Sequence, residues 1–298
     1  MKSIVDKNAI QMNETLEGYQ NWLKTKGYRE ETLRGYENDV RQAMNFWSKF
    51  MNGPLFVSEL GDVQVDALIQ YLINERKLQP KTVNRKMVSL SNYFSYLKRQ
   101  KVVSENPLDH YDRMKVTDKE RTFLSKEEVE KIVEEIDHPT IQYFAMMMVN
   151  TGIRVQECIN LTLSDVDLEE GFLNVINGKG GKNRTVPLNQ QLQKELKEYL
   201  EKHRPYTKSL YFFALKKTGT VSEQYVNRKL KEATKRAGID KHVTSHILRH
   251  SFASYLVKKN INIAVIQRLL GHQNIKTTSV YLHVQQDDLV DAVNHIDF

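Results

Sequence analysis

Between residues 166 and 188 the apolar pattern of this chain changes its period. On either side apolar residues recur every three or four positions, the spacing of an amphipathic helix. Here "VDLEEGFLNVINGKGGKNRTVPL" holds two short runs, "FLNVI" and "RTVPL", around a Gly-rich basic turn. Two such runs joined by a turn read as a hairpin, because neighbouring strands satisfy each other's backbone groups. One hairpin inside an otherwise helical chain confines the fold to a mainly α class with a small β-hairpin or sheet.

The helical regions divide into two domains. "ETLEGYQNWLKTKGY" puts Leu16, Tyr19 and Leu23 on one stripe, and "REETLRGYENDVRQAMNFWSKF" continues with Leu33, Tyr36, Val40, Met44 and Trp47. "DVQVDALIQYLINERK" and "KTVNRKMVSLSNYFSYLKRQK" give two more helices, with Pro80 as the break between them. "SENPLDHYDRMKVTDKERTFLS" then brings Pro107, charge and few apolar residues. A linker is placed at 109–121, between an N-terminal helical domain (1–108) and a mixed α+β domain (122–298). A chain of 298 residues is long enough for two such cores. In the second domain Ser125 and Glu128 have capping-box spacing. The apolar stretch "TIQYFAMMMVNTGIRVQECINL" is expected to form its core. Helices follow the hairpin in "NQQLQKELKEYLEKH", "SEQYVNRKLKEATKRAG", "SHILRHSFASYL", "NIAVIQRLLGH" and "NIKTTSVYLHV".

Charge narrows the partners. With 44 basic against 37 acidic residues the net charge is +7, which favours a polyanion such as nucleic acid. On the fourth helix Lys81, Arg85, Lys86, Lys98, Arg99 and Lys101 make a polar face suited either to a DNA backbone or simply to solvent. The single cysteine, Cys158, excludes an intramolecular disulfide and fits a reducing compartment; in "ECINLTL" it reads as a small buried apolar residue. No run approaches 18 apolar residues, and the N-terminus lacks an apolar signal core. A cytoplasmic protein with no membrane partner is expected.

"SHILRHSFASYL" places His246, Arg249 and His250 at positions i, i+3 and i+4, with Ser245 as the expected N-cap. His246 and His250 have the HxxxH spacing of a zinc helix. The zinc pattern, however, needs Glu where Ile247 stands, and an Arg cation between two ligands opposes a metal ion. A guanidinium beside an imidazole suits a phosphate better. No metal and no cofactor are expected.

Four stretches, "TGIRVQE", "NGKGGKNR", "SHILRHSFA" and "LLGHQNIKTTSVYLHV", stand in this order along the second domain. Together they resemble the motif set of the tyrosine recombinase, or phage integrase, family, above all its short Xer-type members. The resemblance spans nearly the whole chain. It implies a SAM-like helical DNA-binding domain followed by a catalytic domain that cuts DNA through a tyrosine. Arg154 and Arg249 would clamp the scissile phosphate, with Glu157 orienting Arg154. His246 would share a phosphate oxygen or move a proton, and His272 would donate a hydrogen bond. A hairpin lysine, Lys179 in preference to Lys182, would protonate the leaving 5′ oxygen; the other lysine would lie against the DNA. Tyr281 occupies the nucleophile position, and His250 has only a supporting place.

The chemistry needs this set. A tyrosine with a pKa near 10 is ionised to only about one part in a thousand at neutral pH, so nearby cations must favour its attack. The resulting phosphotyrosine bond conserves energy and can be reversed by a DNA hydroxyl without a nucleotide cofactor. Geometry separates the two tyrosines of this region. Tyr255 follows His246 by nine residues, about half a turn out of phase at 100° per residue, and is expected to point into the core. Tyr281 follows the break at Gly271, on a separate short helix capped near Asn274.

The activity implied is site-specific recombination between two DNA sites through a 3′-phosphotyrosine and a Holliday junction. It would serve dimer resolution, transposon cointegrate resolution, or integration and excision. The assembly implied is a homotetramer, or a heterotetramer with a related recombinase. In "QQDDLVDAVNHIDF" the stripe of Leu289, Val290, Val293, Ile296 and Phe298 would dock in cis or be exchanged with a neighbour. Two alternatives share the fold: a catalytically silent DNA-binding regulator and a type IB topoisomerase-like relaxing enzyme. A metal phosphodiesterase is a third.

Overall fold

A computed structural model describes residues 10–28, 30–117, 122–176 and 183–271. Lys179, Lys182, His272, Tyr281, the helix expected at "NIKTTSVYLHV" and the stripe from Leu289 to Phe298 lie outside the described residues. The chain is mainly α with one small sheet, and it divides into two compact units, Met1–Lys119 and Glu120–Phe298.

In the first unit α1 (Leu16–Thr25), α2 (Glu30–Phe50), α3 (Asp62–Gln70) and α4 (Pro80–Arg99) surround one core, and Pro80 sits in the first turn of α4. Proline suits that position because the first N–H groups of a helix have no internal partner. Leu16, Tyr19 and Leu23 are all buried in one core with Trp47 from α2 and Tyr93, Phe94 and Leu97 from α4. On α2 the buried positions are Asp39, Val40, Ala43 and Trp47; Leu33, Tyr36 and Met44 lie at the margin. The stripe is rotated from the expected one because α2 packs chiefly on α4, whose Arg85, Lys86 and Ser89 receive the Asp39 carboxylate.

Part of the expected linker is strapped to this unit. Leu108 is buried in its core, and Tyr111 and Met114 pack against it. The Asn84 amide donates to the Met114 carbonyl (2.9 Å) and accepts from the Met114 N–H (3.0 Å) and the Tyr111 hydroxyl (2.8 Å). A side-chain amide thus takes the place of a backbone partner and holds the segment down.

The second unit opens with α5 (Lys126–Glu134), capped as its spacing predicts. Ser125 Oγ accepts from the Glu128 N–H, and Glu128 accepts from the Ser125 N–H at 2.8 Å. The long apolar stretch breaks into α6 (Pro139–Thr151) and α7 (Val155–Asn160) at Gly152, whose φ is 64°. Only glycine fits there, since a Cβ would stand 2.2 Å from the ring of Phe252. β1 (Val166–Asp167), β2 (Phe172–Val175) and β3 (Arg184–Pro187) form one antiparallel sheet in that order, one short strand more than a hairpin. α8 (Gln190–Glu198), α9 (Glu223–Arg236), α10 (Ser245–Lys258) and α11 (Ile263–Leu270) complete the described part. Phe144, Met147 and Met148 of α6 and Leu248 of α10 are wholly enclosed in the core.

Two expectations for α10 are corrected. Ser245 is not its N-cap: Thr244 holds that position without a side-chain cap bond, and the Ser245 N–H is satisfied by Asn227 Oδ1 of α9 at 2.8 Å. Tyr255 does not point into the core but is 48 % exposed, with Lys259 beside its ring. The second half of α10 packs through Phe252, Ala253, Leu256 and Val257 with Ile266 and Leu270 of α11, and Tyr255 lies off that contact. Among the described residues no helix is long and apolar enough to cross a membrane.

Candidate active site

Three guanidinium groups from three elements meet at the C-terminal end of α11. Arg154, at the N-cap of α7, donates from Nη2 to the Gly271 carbonyl at 3.1 Å. Arg249, on α10 and only 5 % exposed, donates to the carbonyls of Leu270 (2.7 Å) and Gly152. Arg184, the first residue of β3, donates from Nε to the Leu269 carbonyl at 3.1 Å. Carbonyls at a helix C-terminus lack intrahelical donors and carry the negative pole of the helix, so they attract cations. Gly271 closes α11 with φ 64°, and the chain passes from there to His272.

Glu157 organises two of these arginines. Its carboxylate accepts from Arg154 Nη1 (2.7 Å) and the Arg154 N–H (2.8 Å), and from Arg184 Nη1 (3.0 Å) and Nη2 (2.7 Å). Burial opposes its charge, but the hydrogen bonds from Arg184 and Arg154 and their positive charge outweigh that, and its pKa falls to about 2. A carboxylate ionised throughout the working pH range holds Arg184 by a bidentate fork and Arg154 by one guanidinium nitrogen and its backbone N–H.

The histidines of α10 stand at different depths. His246 is exposed, with 66 % of its side chain accessible and Nε2 3.9 Å from Glu223 Oε1, whereas Arg249 is buried and His250 half-buried. The expected single strip therefore runs from solvent at His246 into the protein at Arg249. Cys158 is fully buried, and burial pushes its thiol well above the ordinary range. Among the described residues no group of three or more His, Cys, Asp or Glu side chains is placed to hold a metal ion.

Arg184 was not among the expected site residues. Its partners stand 27 and 85 positions away, and an arginine leading an apolar strand is the only local sign of it. In the first unit Lys81 is exposed, and Arg85 pairs with Asp39 while keeping 55 % of its side chain accessible. Lys86 is a correction: it does not lie on the exposed basic face. It is buried, with its ammonium donating to Asp39 (2.8 Å) and Gln42 (2.7 Å), because the interior Asp39 carboxylate needs a counterion.

Both units of this chain are similar to known proteins. Residues 122–288 match the phage integrase family, and residues 15–103 match the N-terminal SAM-like domain of phage integrases. A tyrosine recombinase of Thermosipho africanus is 34 % identical over 96 % of this chain and 100 % of its own length. Tyrosine recombinase XerA of Pyrococcus furiosus is 33 % identical over 94 % of this chain and 93 % of its own. A solved structure of a lambda integrase tetramer bound to a Holliday junction shares the fold, with a TM-score of 0.75 and 21 % identity over 92 % of this chain and 78 % of that one.

The chain belongs to the phage integrase family. It is a tyrosine-type site-specific recombinase, similar to Xer recombinases. Neither a silent regulator nor a topoisomerase-like relaxing enzyme is favoured by these relatives.

Proposed function

We propose that this recombinase cuts each DNA strand by attack of Tyr281 on a phosphate clamped by Arg154 and Arg249. The observation that carries the reading is their convergence: two arginines from separate elements reach successive carbonyls, Gly271 and Leu270, just before the segment that contains His272 and Tyr281. The attack forms a 3′-phosphotyrosine and releases a 5′ hydroxyl. Lys179 in preference to Lys182 gives that oxygen its proton, His246 takes the proton that the Tyr281 hydroxyl gives up or shares a phosphate oxygen, and His272 donates a hydrogen bond to the phosphate. The arginines, histidines and lysine supply the positive charge and proton donors for the developing phosphorane. The free hydroxyl then attacks the partner strand, and a second round resolves the Holliday junction.

The working form in this reading is a tetramer on two double-stranded sites, composed of four copies of this chain or shared with a related recombinase. Its C-terminal segment docks on a neighbouring protomer. The lambda integrase tetramer supports this by its shared fold. Lys81 and Arg85 grip the DNA backbone, with the catalytic domain beginning at 122 and the connection within 109–121. The enzyme acts in the cytoplasm, on dimers, cointegrates or mobile elements.

The test uses nicked suicide DNA carrying candidate sites from the host genome, incubated with wild type and Tyr281→Phe in excess chelator. A slow-migrating adduct on a denaturing gel from wild type alone is expected. An adduct from Tyr281→Phe refutes the nucleophile assignment.

A further inference from the structure

We infer that Arg184 is a positioning residue for strand cleavage, setting Arg154 and the exit of the chain from α11 in register with each other; this rests on the clamp reading above. One planar group makes both connections. Its Nη1 and Nη2 hold the carboxylate of Glu157, which in turn holds the backbone and the guanidinium of Arg154. Its Nε holds the Leu269 carbonyl.

The guanidinium also lies flat beneath Gly271. A Cβ built at Gly271 would meet Cζ, Nε and Nη1 of Arg184, each at 3.0 Å. The residue before His272 therefore rests directly on the Arg184 plane, which fixes the height at which the chain leaves α11. Arg184 also opens β3, two residues after Lys182, and so joins the strand following the basic turn to the other two pieces.

These connections need a planar fork. A lysine at 184 keeps the charge but offers a single nitrogen, which cannot hold both Glu157 oxygens and the Leu269 carbonyl in one geometry. A clamp displaced by a fraction of an ångström loses rate far more than affinity, because the phosphate remains bound but is no longer aligned for attack. Arg184 is 13 % accessible at its side chain and touches protein groups, so its effect on the reaction passes through Arg154 and Gly271.

The experiment measures single-turnover adduct formation at saturating suicide DNA by the full-length protein, alongside DNA affinity and the folded fraction from thermal unfolding. Arg184→Lys is expected to slow adduct formation about tenfold, and Arg184→Ala by on the order of 10²-fold, per folded molecule and with affinity within about twofold of wild type. Millimolar guanidinium chloride, against equal sodium chloride, is expected to restore part of the Ala variant's rate and to leave wild type unchanged. Wild-type rates in both variants, or a loss accounted for entirely by unfolding or weaker DNA binding, would overturn the inference while leaving the clamp reading intact. Absence of an adduct from wild type itself would overturn the clamp reading and the inference together.

Discussion

Each unit of this recombinase buries a carboxylate between two basic side chains, and the two clusters are wired differently. Asp39 in the first unit accepts from Arg85, Lys86 and Ser89, which all lie on α4, so the network begins and ends at one helix contact. Glu157 in the second unit accepts from Arg154 and Arg184, and both continue to the carbonyls of Gly271 and Leu269. The same ion-pair chemistry is a joint in one place and a relay in the other. Cutting the joint loosens α2 against α4; cutting the relay moves the proposed phosphate clamp.

The largest effect expected lies where the relay ends, at Arg249, which reaches the Leu270 carbonyl between the two that the relay holds. Arg249→Ala removes a buried donor of the proposed phosphate clamp and should lower adduct formation by about 10²- to 10³-fold, with DNA still bound. Arg85→Ala, on the joint side, should leave cleavage at saturating DNA intact and reduce the salt dependence of binding by about one unit of slope. Gel kinetics and a salt titration measure the two. Equal loss of cleavage in both variants would erase the distinction between joint and relay.

The next comparison neutralises each carboxylate in turn. Removing one partner of a buried ion pair leaves the other charge uncompensated, at a cost of about 3 kcal/mol or more. Both tryptophans, Trp22 and Trp47, are in the first unit, so their fluorescence reports that unit alone. Asp39→Asn should shift the fluorescence-monitored transition downward and leave the adduct rate per folded molecule unchanged. Glu157→Gln should leave that transition in place, lower the calorimetric transition of the second unit, and slow adduct formation. A slow adduct rate in Asp39→Asn would mean that the first cluster is also part of the relay.

Acid separates the clusters by a smaller margin. Glu157 falls from its ordinary 4.5 to about 2, a difference worth about 3 kcal/mol. Because the folded value is the depressed one, that stability is fully present above pH 4.5 and disappears as pH falls toward 2. Asp39 is also held below its ordinary value: burial opposes its charge, but Arg85, Lys86 and Ser89 overcome this. Wild type should therefore lose stability steeply below pH 4.5, and Glu157→Gln should flatten that limb in the calorimetric transition of the second unit. An unchanged acid limb would show that the carboxylate is not held as the hydrogen bonds imply.

What was legible in advance follows the range of the interactions. The α1 stripe of Leu16, Tyr19 and Leu23, the Ser125–Glu128 box and the pairing of Arg154 with Glu157 all join residues three or four apart, where helix spacing alone brings side chains together. Nothing local points to Arg184, whose partners are distant in the chain, and nothing local separates Lys86 from its exposed neighbours, because its partner Asp39 is 47 positions away. Helical phase misplaced Tyr255 for a related reason: a wheel assumes one buried face along the whole helix, but α10 changes neighbours partway. At the start of α10 the Ser245 N–H is satisfied by Asn227, 18 residues upstream, a partner to which nothing in the first turn of the helix points.

The smallest prediction tests whether locality in sequence also means locality in effect. Ser125→Ala removes the hydroxyl that accepts from the Glu128 N–H, and the loss of a capping acceptor costs about 1 kcal/mol. Glu128 also accepts from Lys241 at 2.7 Å, and Lys241 donates to the Phe123 carbonyl, so the start of α5 stays anchored without the serine. Among the described residues, none of these groups hydrogen-bonds to Glu157, Arg184 or the end of α11. The variant should therefore lower the melting temperature of the second unit by a few degrees and leave the adduct rate per folded molecule unchanged. A slowed adduct rate in Ser125→Ala would place α5 in mechanical contact with the clamp. The relay would then extend through the core of the unit and not only through its guanidinium groups.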